Sequence, residues 1–293
     1  MPSRTVAVTS ADRTQLHAET FGADGTPTIV LVHGWCCSVR FWHYQLRDLS
    51  GDYRVVAYDL RGHGRSQRPG PGGYSTAALA ADLDAVLRAC VPEGEPVVVV
   101  AHSMGGMSLV AWAAAHAEEI PRRLAGAVLV DTAMAELVRR SLVFSGVPLL
   151  ARPRAALGAV VLRLPVPLLP PPDPVSCRAI RLIALAPTAR PAHVAFCTQI
   201  VAECPPRVRA RFGRTLAGLD LRDGLPHLTV PTVVLVGTDD VLTPPGQARL
   251  IAEELPSAHV VVVAGSGHMA PVEQHRAVTD HIRATAEKSL GRL

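Results

Sequence analysis

The chain has 293 residues, of which 48% are hydrophobic and 18% charged. That composition excludes disorder, collagen-like repeats and a small disulfide scaffold, and the length allows one large domain that needs no metal or disulfide staple. The net charge of +4 is too mild to imply nucleic acid as a partner.

In chain order, Thr5 to Ser10 and Gln15 to Phe21 alternate polar and apolar residues around Ala11-Asp12-Arg13-Thr14. They predict an antiparallel hairpin. Met1 to Gly22 has no apolar stretch of the kind a signal peptide requires. From Thr28 to Val32 the pattern changes to a continuous apolar run, as in a strand buried on both faces. Similar runs follow at Arg54–Tyr58, Pro96–Ala101, Gly126–Val130, Thr232–Val236 and His259–Val263. Helix-length segments separate most of them, and Ala77 to Cys90 places Leu79, Leu83, Val86 and Leu87 at helical spacing. This alternation predicts an α/β fold with a mostly parallel sheet and helices on both faces.

The alternation fails between Thr132 and Leu228. Helix-like pieces occur there at Ala133–Phe144 and Arg178–Leu185, along with the breaker cluster Pro165 to Pro174. We expect an inserted, mainly helical cap over residues 132–228, within a core formed by 1–131 and 229–293. A separate C-terminal domain is the weaker reading, since two strands alone make a poor sheet. No apolar run is long enough to span a membrane. The six cysteines, Cys36, Cys37, Cys90, Cys177, Cys197 and Cys204, show no CxxC pair and no metal-ligand spacing. They predict reduced thiols in a cytoplasmic compartment and no metal.

The strongest chemical signal is Val97-Val-Val-Val-Ala-His-Ser103-Met-Gly-Gly106, where a buried strand runs into a serine and then a helix. A strand-to-helix turn this tight lifts the serine clear of the sheet edge, and it demands small residues two before and two after. Here these are Ala101 and Gly105, with alanine where the pattern more often has glycine. The following helix aims its free N–H groups at the same place.

Taken with four further motifs, this segment resembles the α/β-hydrolase superfamily over nearly the whole chain. The motifs are Val32-His33-Gly34-Trp35, Tyr58-Asp-Leu-Arg-Gly-His-Gly-Arg-Ser66, Gly237-Thr-Asp-Asp240-Val-Leu-Thr-Pro244 and Gly265-Ser-Gly-His268-Met. The resemblance implies an eight-stranded α/β-hydrolase sheet and a triad of Ser103, Asp240 and His268, in the superfamily's order. It assigns the oxyanion donors to the backbone N–H groups of Trp35 and Met104. A serine hydroxyl is a weak nucleophile, so His268 is expected to accept its proton and Asp240 to hold the imidazole in the required tautomer.

Asp239 and Asp131 are alternative acids, the spacing from Gly237 favouring Asp240. His33 is expected to shape the oxyanion loop, and Asp59, Arg61 and His63 to brace their own loop. His102 is open between a pocket-lining and a structural role. A serine at the turn points to attack on a carbonyl, whereas related dehalogenases and epoxide hydrolases carry aspartate there. The absence of an HGGG segment argues against the hormone-sensitive-lipase branch. The pairing of Trp35 with Met104 looks like bacterial esterases and cofactor-free haloperoxidases, so no cofactor is expected.

Between Glu136 and Glu203 lie eight arginines and one acid, Asp173, among many leucines and valines. A span this greasy and cationic suggests a lid for lipophilic acyl esters, in peripheral contact with lipid surfaces. A carboxylate-gripping arginine and an ordinary packed cap are the alternatives. Carbon–carbon hydrolases, thioesterases and non-catalytic binding proteins of this fold carry the same residues and are competing expectations.

Overall fold

The computed structural model describes residues 3–143, 160, 163–165 and 173–291. Eight strands form one sheet: β1 (Arg4–Thr9), β2 (Gln15–Phe21), β3 (Thr28–Val32), β4 (Arg54–Tyr58), β5 (Val97–His102), β6 (Leu124–Val130), β7 (Thr232–Gly237) and β8 (Ala258–Val263). Their order across the sheet is β1-β2-β4-β3-β5-β6-β7-β8. The first two pairings, β1 with β2 and β2 with β4, are antiparallel, and all others are parallel.

The sequence pattern explains the layout. β3 and β5 are buried along their whole length, so Val and Ile runs face helices on both sides. The hairpin turn before β2 closes through Arg13 N–H to Ser10 O at 2.8 Å, with Arg13 in the left-handed region at φ 67°. Helix α1 (His43–Leu49) follows β3. Helix α2 (Thr76–Cys90) starts where Ser75 accepts from Ala78 N–H and buries Leu79, Leu83, Val86 and Leu87. Helix α3 (Met104–Ala115) packs against α2.

Two expectations need correction. The segment from Ala133 is helical only over Leu137–Arg140, because Ala135 bridges to Asp220 as extended chain and Glu136 adopts φ 53°. Phe144 lies outside the described residues. The last strand, β8, is half-exposed rather than buried on both faces, because it is the sheet's edge.

Between β6 and β7 the chain forms α4 (Pro174–Ala184), α5 (Pro191–Glu203) and α6 (Pro206–Ala217). The α4 start falls at the end of the proline cluster. Asp173 accepts from Ser176 N–H at 2.6 Å, and Pro174 takes the first helical position, where no N–H is needed. Helices α7 (Pro245–Glu254) and α8 (His275–Ser289) complete the layers beside the sheet. Much of the stretch Leu142 to Leu169, on which the lid expectation rests, lies outside the described residues. Among those described, no helix is long and apolar enough to cross a membrane.

Candidate active site

The parallel strands end on one edge of the sheet, and three of their C-terminal loops converge. Ser103 follows β5 directly and takes φ 51° and ψ −118°, a strained conformation for a residue with a side chain. Ser103 N–H donates to Val130 O at 2.9 Å, and Gly106 N–H returns to Ser103 O at 2.8 Å. The crossing is close: a Cβ on Gly105 would lie 2.8 Å from His33 O, so only glycine fits there. Ala101, two residues before the serine, is fully buried between Val32 and Leu129.

Ser103 Oγ–H faces His268 Nε2 at 3.0 Å, and His268 Nδ1–H faces Asp240 Oδ2 at 2.9 Å. His268 and Asp240 are buried. Asp240 Oδ1 accepts from the N–H groups of Leu242 (2.8 Å) and Thr243 (2.9 Å), and Oδ2 accepts from the Thr243 hydroxyl at 2.6 Å. Burial opposes the charge on Asp240, but His268 and the Thr243 donors hold its carboxyl below the usual range. Burial likewise opposes protonation of His268, and the Asp240 charge and hydrogen bond outweigh it and raise its pKa. A hydroxyl, an imidazole lone pair and an orienting carboxylate thus stand in one hydrogen-bonded line, as proton abstraction from the hydroxyl requires.

The neighbouring candidates divide clearly. Asp239 is part-exposed and accepts from the Thr238 hydroxyl, with no bond to His268. Asp131 is fully buried and receives Gly237 N–H at 2.9 Å and Ala270 N–H at 3.1 Å. It therefore ties the acid loop to the histidine loop. Burial, and then the Asp240 charge, push its carboxyl well up. His33 donates from Nδ1 to Gly34 O at 2.8 Å and accepts Leu60 N–H at Nε2, which fixes the loop ahead of Trp35. Gly34 packs on the serine: a Cβ there would sit 2.9 Å from Ser103 Cβ. The N–H groups of Trp35 and Met104 have no protein acceptor among the described residues.

His102 donates from Nε2 to His268 O at 2.8 Å and lies under Phe41, and burial pushes its pKa down to about 3. It is a neutral support for the histidine loop. Asp59 accepts from Val39 and Arg65 N–H groups, and Arg61 is clamped by Asp82 and Asp12. These residues brace their loop.

Sequence reasoning missed two residues here. Thr243 is one; it lay inside a quoted motif. Glu273 is the other: Oε1 accepts from Gly267 N–H (2.9 Å) and Oε2 from Ala186 N–H (2.7 Å). Beside it, His268 N–H donates to Ala184 O at 3.0 Å, so the end of α4 is stitched to the histidine loop.

The profile of the Alpha/beta hydrolase family matches residues 29–281, most of the chain. The chain belongs to this family. Among its relatives is a Yersinia enterocolitica protein assigned as the carbamate hydrolase RutD, 31% identical over 245 residues, covering 82% of this chain and 80% of that one. A non-heme chloroperoxidase from Streptomyces lividans is 39% identical over 144 residues, covering 48% of this chain and 50% of its own. Among solved structures, a thermophilic esterase from Thermogutta terrifontis superposes with a TM-score of 0.75 at 27% identity, covering 98% of this chain and 99% of that one. This alpha/beta hydrolase is accordingly an enzyme of the hydrolase type.

Proposed function

We propose that this hydrolase cleaves carboxylic esters through an acyl-enzyme on Ser103. The observation that carries the reading is the continuous line from Ser103 Oγ through His268 to Asp240, at 3.0 and 2.9 Å. In this reading His268 takes the serine proton as Oγ attacks the carbonyl, then gives it to the leaving alcohol. Asp240 stabilises the imidazolium. The Trp35 and Met104 N–H groups receive the oxyanion, each contributing roughly 3–4 kcal/mol to lowering the barrier. Water then enters by the same route in reverse and releases the acid.

The finer reading is a lipophilic acyl ester admitted under a cap over residues 132–228, on a core of 1–131 and 229–293. The direct parallel pairing of β6 with β7 supports treating the intervening chain as an insertion. Leu142, Val160, Leu164, Val175 and Leu182 are exposed apolar side chains within it, which supports contact with lipid. The 31% identity to a protein assigned as a carbamate hydrolase favours carbamates as a second substrate class.

A p-nitrophenyl ester series from short to long acyl chains, run with a fluorophosphonate label, tests both levels. Labelling at Ser103 and turnover that increases with chain length are expected. Absence of labelling and of turnover on every ester would overturn the ester reading. Best turnover on acetate, with no binding to anionic vesicles at low salt, would remove the lipid reading alone.

A further inference from the structure

The first turns of α5 and α8 meet at a cavity of about 190 Å³. Its wall carries Arg190 and His193 from the start of α5. Gln274, His275 and Arg276 come from the start of α8, with Glu273 just before them. Two guanidinium groups and two imidazoles thus share one small space with a single carboxylate. That carboxylate is engaged elsewhere: Glu273 accepts Gly267 N–H at 2.9 Å and Ala186 N–H at 2.7 Å. Among the described residues neither Arg190 nor Arg276 has a carboxylate partner. The exposed arginines Arg40, Arg47 and Arg88 each have one. Like charges gathered without a partner repel, and an anion between them relieves that repulsion.

The imidazoles are held from behind. Tyr44 of α1 stacks its ring on His275, with centroids 3.9 Å apart at 13°, and its hydroxyl lies 3.4 Å from His193 Nε2. His193 is only 6% exposed. With Nε2 accepting the Tyr44 O–H, Nδ1 carries the ring proton, and it has no acceptor among the described residues. His275 Nδ1 is buried and likewise without a partner there. Neither helix start has a side-chain cap, so the N–H groups of both first turns, at the positive ends of the helix dipoles, add further donors.

We propose that this cavity binds a phosphate group, carried by free phosphate, a small phosphomonoester or a lipid headgroup. A carboxylate presents two oxygens along one edge. A phosphate presents at least three acceptor oxygens that point apart, with up to two negative charges. The donors here come from two separate helices and include two unpaired arginines, which suits the phosphate.

The test is calorimetric titration of the full chain with inorganic phosphate, against chloride at matched ionic strength. Saturable binding of phosphate and not of chloride is expected. The double variant Arg190→Gln with Arg276→Gln should bind about tenfold more weakly or less, since each loses a charge-assisted bond. Its circular dichroism spectrum should match the wild type. In the wild-type chain, the imidazole proton resonances of His193 and His275 should shift along the same saturation curve. Those of His259, on the edge strand β8, should not. The source is separated by phosphatidylcholine vesicles with added phosphatidic acid. Capture of the chain that is lost in the double variant assigns a lipid headgroup, and capture that is absent or unchanged assigns a soluble phosphate. No saturable phosphate binding by the wild type would overturn the proposal. So would equal binding by the folded double variant, or saturation that leaves the His193 and His275 resonances unmoved. The wild-type titration and resonances decide the matter even if the variant fails to fold.

Discussion

Thr243 donates its hydroxyl to the same Asp240 oxygen, Oδ2, that receives the imidazole N–H of His268. It also lies 3.2 Å from His268 Nδ1, so one hydroxyl fixes both the carboxylate and the ring it orients. Thr243→Val keeps the shape and removes the donor. A hydrogen bond to a charged group is worth about 1.5–3 kcal/mol, and much of that loss falls on folding because Asp240 is buried in the resting enzyme. Turnover is expected to fall about tenfold with KM little changed. Thr243→Ser should recover it, and steady-state kinetics on one soluble ester measures both.

Asp240→Asn should lower turnover on the order of 10⁴-fold, because the amide favours the wrong tautomer of His268. Asp239→Asn should change it little, since among the described residues that side chain bonds to Thr238 and not to His268. Asp131→Asn should lie between the two. Its amide NH₂ would face one of two N–H donors, from Gly237 or Ala270, and loosen the loops that carry the acid and the base. Parallel kinetics on the three variants would overturn the assignment of Asp240 if Asp131 proved the costliest site.

The pH profile follows from His268. The base must be neutral to accept the serine proton, and the Asp240 charge raises its pKa against the opposing effect of burial. kcat/KM should therefore rise with pH through a midpoint above 6.5 and be lost below it. In Asp240→Asn the raising charge is gone while burial remains, so the residual activity should titrate at lower pH. A steady-state profile from acid to mildly alkaline pH, run on both enzymes, measures the two midpoints.

The strands and the turn at Ser103 were legible because they depend on local pattern. β3 and β5 are unbroken apolar runs, and Ala101 and Gly105 flank the serine at the required spacing. The supports of the site were harder to read. Glu273 acts by receiving Ala186 N–H across 87 positions of sequence, and no periodicity signals that approach. The failed helix at Ala133 has a similar cause. Its spacing suited a helix, but Ala133, Met134 and Ala135 are buried, and the bridge of Ala135 to Asp220 with the bond from Leu221 N–H to Met134 O holds them extended. β8 misled in the opposite direction, since its valines match a central strand and its edge position is a property of the whole sheet.

The strain at Ser103 predicts a trade of stability for function. A φ of 51° with ψ −118° costs a residue with a Cβ about 1–3 kcal/mol, and glycine is largely free of it. Ser103→Ala retains the strain and Ser103→Gly relieves it. Both should lose fluorophosphonate labelling and several orders of magnitude of activity. Ser103→Gly should nevertheless be more stable than Ser103→Ala by about 1 kcal/mol, after the larger chain entropy of glycine is offset. Urea denaturation of the two variants gives the comparison.

Arg61 is fully buried, and Asp82, also fully buried, meets it with two bonds of 2.6 Å, from Arg61 Nε to Oδ2 and from Nη2 to Oδ1. The remaining guanidinium donors go to Asp12, Ser10 and Gly73, so one side chain joins the β1–β2 turn, α2 and the loop after β4. Removing one partner of a buried pair leaves the other charge uncompensated, typically a loss of about 3–5 kcal/mol. Asp82→Ala should fall at the lower end, near 3 kcal/mol, because Asp12 can still hold part of the guanidinium. Arg61 holds the Asp12 carboxyl down to about 2, from 3.8. Its contribution is thus present above pH 3.8 and lost as pH falls toward 2. Asp12→Asn should therefore flatten the acid limb of the stability curve, while Asp82→Ala lowers the curve at neutral pH. Denaturation midpoints from acid to neutral pH separate the two effects. Equal loss at neutral pH from both variants would mean that Asp12, and not the buried Asp82, is the main partner of Arg61.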